Sequence, residues 1–364
     1  MMSIRQSIRY LRWHLGHTLP MIMRHSSTYP EFPRKSLLRR YLENLYIYLR
    51  DGSPCAAYDG LGLDIKGRSL NDFVSNLRWL KFLNKELAPP KTSSGSSFQR
   101  LRGIGRSQVP LLQNKYLFWS FLQRHGIPVV PVVCHTIGGQ VFQTAGEAPL
   151  EEMDRFFAKP ADDNCGNLAF PVVVEGGRFF SGGREISKAE LFRSDVDYIF
   201  QPVIVNHEGI RKFNPTTLNT LRLASCRTKS GNLELWDSGM IRIGRTNTTV
   251  DNYSQGGIGV GIDEDGNLKE YGYFHDHDEC YGKSDCHPDS RIAFKGSPVP
   301  FYKEAVALVL KAHRLFPTIK TIGWDVAVTP EGPLLVEGNH DGGLEMLQIV
   351  HHKGSAARFR EIYG

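Results

Sequence analysis

At 364 residues, with 41% hydrophobic residues, 23% charged residues and 36 glycines, the chain lies in the globular range and can bury two or three cores. That excludes a mainly disordered or fibrous protein. The formal charge of +6 is concentrated at one end: residues 1–50 carry nine Lys/Arg against Glu31 and Glu43, a net of +7, which leaves the remainder at −1. No apolar run reaches the roughly 20 residues of a spanning helix, no secretory h-region or nucleic-acid module is visible, and the six scattered cysteines read as reduced thiols. A soluble cytoplasmic protein with small-molecule substrates is expected.

In chain order, Ile4, Ile8, Leu11 and Leu15 recur at helical spacing with Arg5, Arg9 and Arg12 off that stripe, a basic amphipathic helix. It suits packing on the rest of the protein or peripheral contact with the inner membrane. Helices are also predicted over 36–50 and 69–87, the second opening at Ser69 with Asp72 three residues on. The polar stretch 91–97 (KTSSGSS) reads as a linker, so residues 1–97 form a basic, mainly helical region.

Beyond it, a helix over 114–125 stops at Gly126 and Pro128. Strands are predicted over 129–135, 156–159, 172–174, 198–205, 220–227, 233–243, 258–262 and 269–274. A helix over 301–315 precedes two last strands, 321–328 and 334–337, joined by a turn. The pattern is α+β with a mostly antiparallel core.

The last two strands carry the strongest chemistry. In GWDVAV and LLVEGN an acid stands where a core residue is expected, and a buried carboxylate is costly unless its charge is compensated. Paired as a hairpin, the strands bring Asp325 and Glu337 together, and Asn339 falls on the face of Glu337 by alternation. Two carboxylates and an amide oxygen are hard ligands suited to Mg²⁺ beside nucleotide phosphates. The plainer alternative, an ion-pair network with Arg or Lys, has no need of the amide.

Upstream, Lys115 begins a helix that runs to Gly-Ile-Pro-Val-Val-Pro at 126–131, and Lys159 ends a strand. This order, closed by D…ExN, resembles the ATP-grasp superfamily over roughly residues 100–350. Asn219-Thr220-Leu221-Arg222 and Gly256-Gly257-Ile258-Gly259 resemble its sugar-transfer-associated branch. The resemblance implies two α+β lobes clamping ATP, 98–200 as the lid lobe and 201–364 as the catalytic lobe. It places Lys115 and Lys159 at the phosphates and residues 161–167 at the flap. Gln201 and Val203 would meet the adenine edge, with Pro202 lacking a donor there, and Asn206, His207 or Glu208 would lie near the ribose. Asn219 would lie at the nucleotide, Arg222 at the transferred phosphate, and Asn252 beside the γ-phosphate and acceptor. The stretch 340–346 lacks the Arg or Pro common in the family's substrate loop.

The cluster His275, His277, Cys280, Cys286 and His287 reads as a polar loop, since no second CxxC supports zinc. The expected activity is ATP- and Mg²⁺-dependent ligation, in which a carboxylate becomes an acyl phosphate that an amine or other nucleophile attacks. The alternatives are phosphorylation of a hydroxyl and a non-catalytic nucleotide-binding component of a sugar-transfer system.

Overall fold

The computed structural model describes residues 27–51, 57–75, 108–162, 168–246, 250–275, 281–340 and 342–363, together with Gly16 and Trp79. The basic helix expected over 4–15, the linker 91–97 and most of the flap 161–167 lie outside them.

Helix α1 (Leu37–Asp51) matches its predicted span. The helix predicted over 69–87 does not begin at Ser69: Ser69 caps a 3₁₀ turn, Leu70–Asp72, by accepting the Asn71 N–H, and Phe73–Ser75 run extended, while Trp79 is helical and residues 76–78 and 80–87 lie outside the described residues. The cause is tertiary. Gln348 accepts the Val74 N–H at 3.0 Å and donates to its carbonyl at 2.9 Å, taking the backbone groups a helix would use, while Phe73 and Val74 enter the core.

Helices α2 (Val109–Gln113) and α3 (Lys115–Arg124) follow, α3 capped by the Asn114 side chain on the Leu117 N–H. Strands β1 (Cys134–Ile137), β2 (Gln140–Gln143), β3 (Arg155–Pro160), β4 (Phe170–Glu175), β5 (Arg178–Ser181) and β6 (Arg184–Ile186), the short helix α4 (Lys188–Leu191) and β7 (Tyr198–Pro202) make the first lobe. Its antiparallel sheet has the order β2-β1-β7-β3-β4-β5-β6. Strands β2, β5 and β6 were not predicted, although Gly-Gly pairs at 138–139, 176–177 and 182–183, all at positive φ, mark their hairpins.

The second lobe holds α5 (Glu208–Arg211), β8 (Thr220–Arg227), β9 (Leu233–Leu235), β10 (Met240–Ile243), β11 (Ile258–Ile262), β12 (Leu268–His275), β13 (Tyr281–Ser284), α6 (Tyr302–His313), β14 (Thr321–Thr329), β15 (Gly332–Asn339), α7 (Leu344–His351) and α8 (Ala356–Tyr363). The sheet order is β13-β12-β11-β10-β8-β14-β15, with β9 continuing beside β8. The single strand predicted over 233–243 is thus two.

One face of this sheet presents Leu221, Leu223, Ile241, Trp324 and Val326 to Ala305, Leu308, Val309 and Ala312 of α6. Beneath it His313 is sealed off: Ser225 Oγ lies 2.7 Å from Nδ1 and Nε2 donates to the Ile319 carbonyl at 2.8 Å. Burial pushes its pKa from 6.5 down to about 4. A depressed folded pKa means stability that is complete above 6.5 and lost as pH falls through about 4. Urea titrations should therefore show His313→Gln losing less stability than wild type between neutral pH and pH 4, by about 3 kcal/mol.

Against the other face pack α7, α8 and the described N-terminal residues. Tyr58, Phe73 and Trp79 share one core with Trp236, Leu347 and Phe359. The two sheets are joined where the Gly-Ile-Pro segment crosses: Val129 bridges Leu335 of β15 in parallel, and the Val133 N–H then bonds the Phe200 carbonyl of β7. The strand predicted over 129–135 is shared between the lobes in this way, which sets one sheet against the other across the site.

Candidate active site

The polar face of the second sheet is fixed by register. Asp325 of β14 stands opposite Glu337 of β15 and Arg222 of β8, Gly323 opposite Asn339, and Thr220 opposite Arg242 of β10. Directly opposed residues share a face, so all of these side chains lie on one side. A β-bulge makes this possible. Leu335 pairs with Val326 on the α6 face, and two residues later Glu337 would share that face in a regular strand. The extra residue Val336 shifts the alternation and turns Glu337 toward Asp325.

Asp325 is buried, 4% exposed, and meets two arginines: Arg222 Nε lies 2.9 Å from Oδ1 and Arg242 Nη2 lies 2.9 Å from Oδ2. Oδ1 is held by the Arg222 ion pair, although no N–H is aligned on it. Arg242 also reaches Thr220 Oγ1 at 2.8 Å and Asp251 at 3.6 Å, and Asp251 in turn accepts from the Thr220 N–H and hydroxyl. Burial opposes the charge on Arg242, but Asp251 and Asp325 outweigh it and raise its pKa. Burial likewise raises the Asp251 pKa against the pull of Arg242. The Arg222 guanidinium crosses Gly323, where a Cβ would lie 3.0 Å from Nη1 and 2.8 Å from the Gly342 carbonyl. Only glycine leaves that passage open.

Glu337 is less buried and lies 3.3 Å from Lys115 Nζ. The Asn339 amide is half-buried and makes no side-chain hydrogen bond among the described residues. The two lysines come from adjoining points: Lys115 starts α3, whose Phe118 and Leu122 join the core of the second sheet, and its N–H bonds the Ala161 carbonyl at 2.8 Å, while Lys159 of the first lobe stands just before Ala161 at the end of β3. Lys159 lies over the Phe157 ring at 5.5 Å and has no ion-pair partner among the described residues. Burial lowers its pKa, and Glu337, Asp251 and Asp325 across the cleft pull it up against Lys115.

Other predicted positions are placed as follows. Gln201 is buried, its amide donating to the Val130 carbonyl at 3.3 Å. Val203, with Ile204, Val205 and Leu334, lines a cavity of about 650 Å³ that extends to Leu308 and Lys311 of α6; none of the charged cluster lines it. His207 caps α5 by accepting the Gly209 N–H, and Glu208 is exposed. Asn219 is fully buried, its amide used by Thr217, Asn214 and Gly244, and it pairs by backbone with Asn206. This pair props the entry to β8, and the Asn219 side chain does not reach the cleft. Asn252 directly follows Asp251 and heads a 3₁₀ turn whose Gly257 passes against the Asp251 carbonyl.

Arg242 and Asp251 were missed. The signal was present: an arginine in the apolar strand Met-Ile-Arg-Ile is as anomalous as the acid in GWDVAV.

A model of the sugar-transfer associated ATP-grasp family matches residues 101–363. The chain belongs to that family. Its two facing antiparallel sheets are the ATP-grasp fold, and the lysine, arginine and carboxylate positions all fall within the matched span. Solved structures similar to this family member include N5-carboxyaminoimidazole synthetase from Staphylococcus aureus complexed with ADP, at 11% identity over 70% of this chain and 51% of that one, TM-score 0.39. An L-amino acid ligase from Bacillus licheniformis matches at 10% identity over 65% of this chain and 42% of that one, TM-score 0.37. D-Alanine-D-alanine ligase from Helicobacter pylori matches at 13% identity over 66% of this chain and 58% of that one, TM-score 0.33. The chain spans about half the length of these structures. No curated protein matches.

Of the stretch 275–287, read as a polar loop, positions 276–280 lie outside the described residues. His287 is buried and structural, with Nε2 on the Gly244 carbonyl and Nδ1 accepting the Ser290 N–H. Among the described residues no group of three or more His, Cys, Asp or Glu is arranged to hold a metal ion, and Cys134, Cys226 and Cys286 are free thiols.

Proposed function

We propose that the chain is an ATP-dependent ligase that activates a carboxylate for attack by an amine or another nucleophile. The observation that carries this reading is the convergence of Asp325, Glu337, Asn339 and Arg222 on one sheet face, with Lys115 of α3 and Lys159 of the other lobe beside them.

The donor set is of the kind that suits Mg²⁺: the Asp325 carboxylate between its two arginines, a carboxylate in Glu337 that holds only a lysine, and the open amide of Asn339. The ion, when bound, neutralises phosphate charge. Lys115, Lys159 and Arg222 supply cationic N–H groups to the phosphates, and Arg242, tied to Asp325 Oδ2, fixes the orientation of that carboxylate. The γ-phosphoryl passes to a carboxylate oxygen as ADP leaves, and the nucleophile then attacks the acyl carbon and expels phosphate. The side chains position and neutralise; none forms a covalent bond.

The test is ADP release from Mg-ATP against pools of amino acids, sugar acids and amines. Substrate-dependent ADP with equal inorganic phosphate, reduced about 10²-fold by Glu337→Gln, is the expected result. A stable phosphorylated product would establish phosphotransfer to a hydroxyl instead, and nucleotide binding without turnover would establish a non-catalytic role.

A further inference from the structure

The loop that joins β15 to α7 meets the candidate site at two points. It leaves from Asn339, and the Gly342 N–H returns to the Asn339 carbonyl at 3.3 Å. Gly342 and Gly343 both hold left-handed backbone, φ 64° and 60°, and run past the Arg222 guanidinium. A Cβ on Gly323 would meet the Gly342 carbonyl and Arg222 Nη1 together, and a Cβ on Gly343 would lie 4.0 Å from the same nitrogen. Arg222 needs such a neighbour. Its Nε is held by Asp325 Oδ1 at 2.9 Å and its Nη2 reaches Oδ2 only at 3.5 Å, while Nη1 has no hydrogen bond or ion pair among the described residues. A guanidinium recognises phosphate through the fixed angle of its fork, so whatever limits the swing of its plane matters to the chemistry.

The backing of that loop comes from a residue before the family-matched span. A Cβ on Gly342 would meet Thr321, Leu344 and, at 3.8 Å, Cζ2 of Trp79. Trp79 is 1% exposed and packs edge-on with Trp236, Phe359 and Tyr363 at ring distances of 5.9, 5.7 and 5.2 Å. The Tyr363 hydroxyl donates to Thr321 Oγ1 at 2.6 Å, which links Trp79 to the other side chain behind Gly342. The chain leading to Trp79 is fixed as well. Gln348 of α7 holds both backbone groups of Val74, and the Trp79 N–H bonds the Ser75 carbonyl at 3.0 Å. The indole is thus a rigid wall anchored to the helix that the loop enters.

We propose that Trp79 is a positioning residue for phosphoryl transfer: it fixes the Gly342–Gly343 loop and, through it, the angle at which Arg222 meets the transferred phosphate. The inference rests on the ligase reading, which puts Arg222 at that phosphate. Because Trp79 acts through the loop and Arg222, its removal costs recognition of the γ-phosphate and not nucleotide binding as a whole.

The experiment is calorimetric titration of the full chain, in Mg²⁺, with ADP and with a non-hydrolysable ATP analogue, for wild type, Trp79→Ala, Arg222→Lys and the double variant. Wild type should prefer the triphosphate. Trp79→Ala should lose at least about fivefold of that preference with ADP affinity kept within about twofold, and should add nothing in the Arg222→Lys background, the non-additivity of two side chains acting as a unit. If Trp79→Ala misfolds, Trp79→Phe gives the same comparison, since it keeps a ring among Trp236, Phe359 and Tyr363 and withdraws the indole edge from Gly342. Leu63→Ala, a truncation in the same core, controls for lost stability and should keep the wild-type preference. Additive effects of the two substitutions, an undiminished preference in the Trp79 variants, an equal fall in affinity for both nucleotides, or as large a loss in Leu63→Ala overturns the proposal and leaves the ligase reading standing. Wild type that binds the two nucleotides equally, or binds neither, overturns the ligase reading and this inference with it.

Discussion

Asp325→Asn should reduce substrate-dependent ADP release by about 10²–10³-fold while leaving a folded protein, and Asp325→Ala should lose both turnover and stability. The two substitutions differ in what they leave behind. Arg222 and Arg242 both converge on this carboxylate in a site closed to solvent. Alanine leaves two guanidinium groups without the carboxylate they share, a change of the kind that costs about 3–5 kcal/mol. Asparagine keeps the volume and an oxygen able to accept from Arg242, so the network is weakened and not abolished, yet the anionic charge that suits a hard cation is gone. Urea denaturation gives the stability difference. Thermal shift with ATP, in the presence and absence of Mg²⁺, gives a readout apart from turnover: the Mg²⁺-dependent part of the stabilisation should vanish in Asp325→Asn. Wild-type turnover in Asp325→Asn would reduce Asp325 to a counterion for its arginines.

That outcome is the plainer alternative the sequence already offered for the final hairpin, and the structure realises part of it. Asp325 does sit in an arginine network and Glu337 does hold a lysine. The opposition of Asp325 and Glu337 was legible because a carboxylate in an apolar strand needs a compensating charge wherever the strand goes. The bulge at Val336 was not, since nothing local in Leu-Leu-Val-Glu distinguishes a regular strand from a bulged one; the partner β14 decides it by demanding Leu335 on one face and Glu337 on the other. The same holds for residues 73–75. Ser69 caps as its side chain requires, but the chain runs extended through 73–75 because Gln348, distant in sequence, takes both backbone groups of Val74. Strands β8 and β11 fell on their predicted spans because apolar patterning and glycines bound them locally. Asn219 marks the limit of carrying a motif over: its position before Arg222 is right for the strand, and its side chain serves the strand's entry and not the cleft.

Lys159→Met should weaken ATP binding about 10- to 100-fold and, in the empty protein, raise the thermal midpoint. Both effects follow from one fact. Burial holds the Lys159 pKa below its ordinary value of 10.5, with Glu337 only partly offsetting it and Lys115 opposing. A depressed folded pKa means that the lysine's contribution to stability is present above the unfolded value and lost as pH falls through the folded one, so at neutral pH the ammonium is a cost to the empty protein. Methionine removes that cost and keeps the stem over Phe157. Phosphates reverse the balance: they supply the counter-charge the described residues do not, the pKa rises toward its ordinary range, and binding takes up protons wherever pH exceeds the lowered value. Affinity for ATP should accordingly fall as pH rises, and calorimetry in two buffers of different ionisation enthalpy should report proton uptake that Lys159→Arg abolishes, because a guanidinium stays charged throughout. Unchanged ATP affinity in Lys159→Met, or no proton uptake by wild type at any alkaline pH, would remove Lys159 from the phosphate site and leave Lys115 and Arg222 to hold the nucleotide.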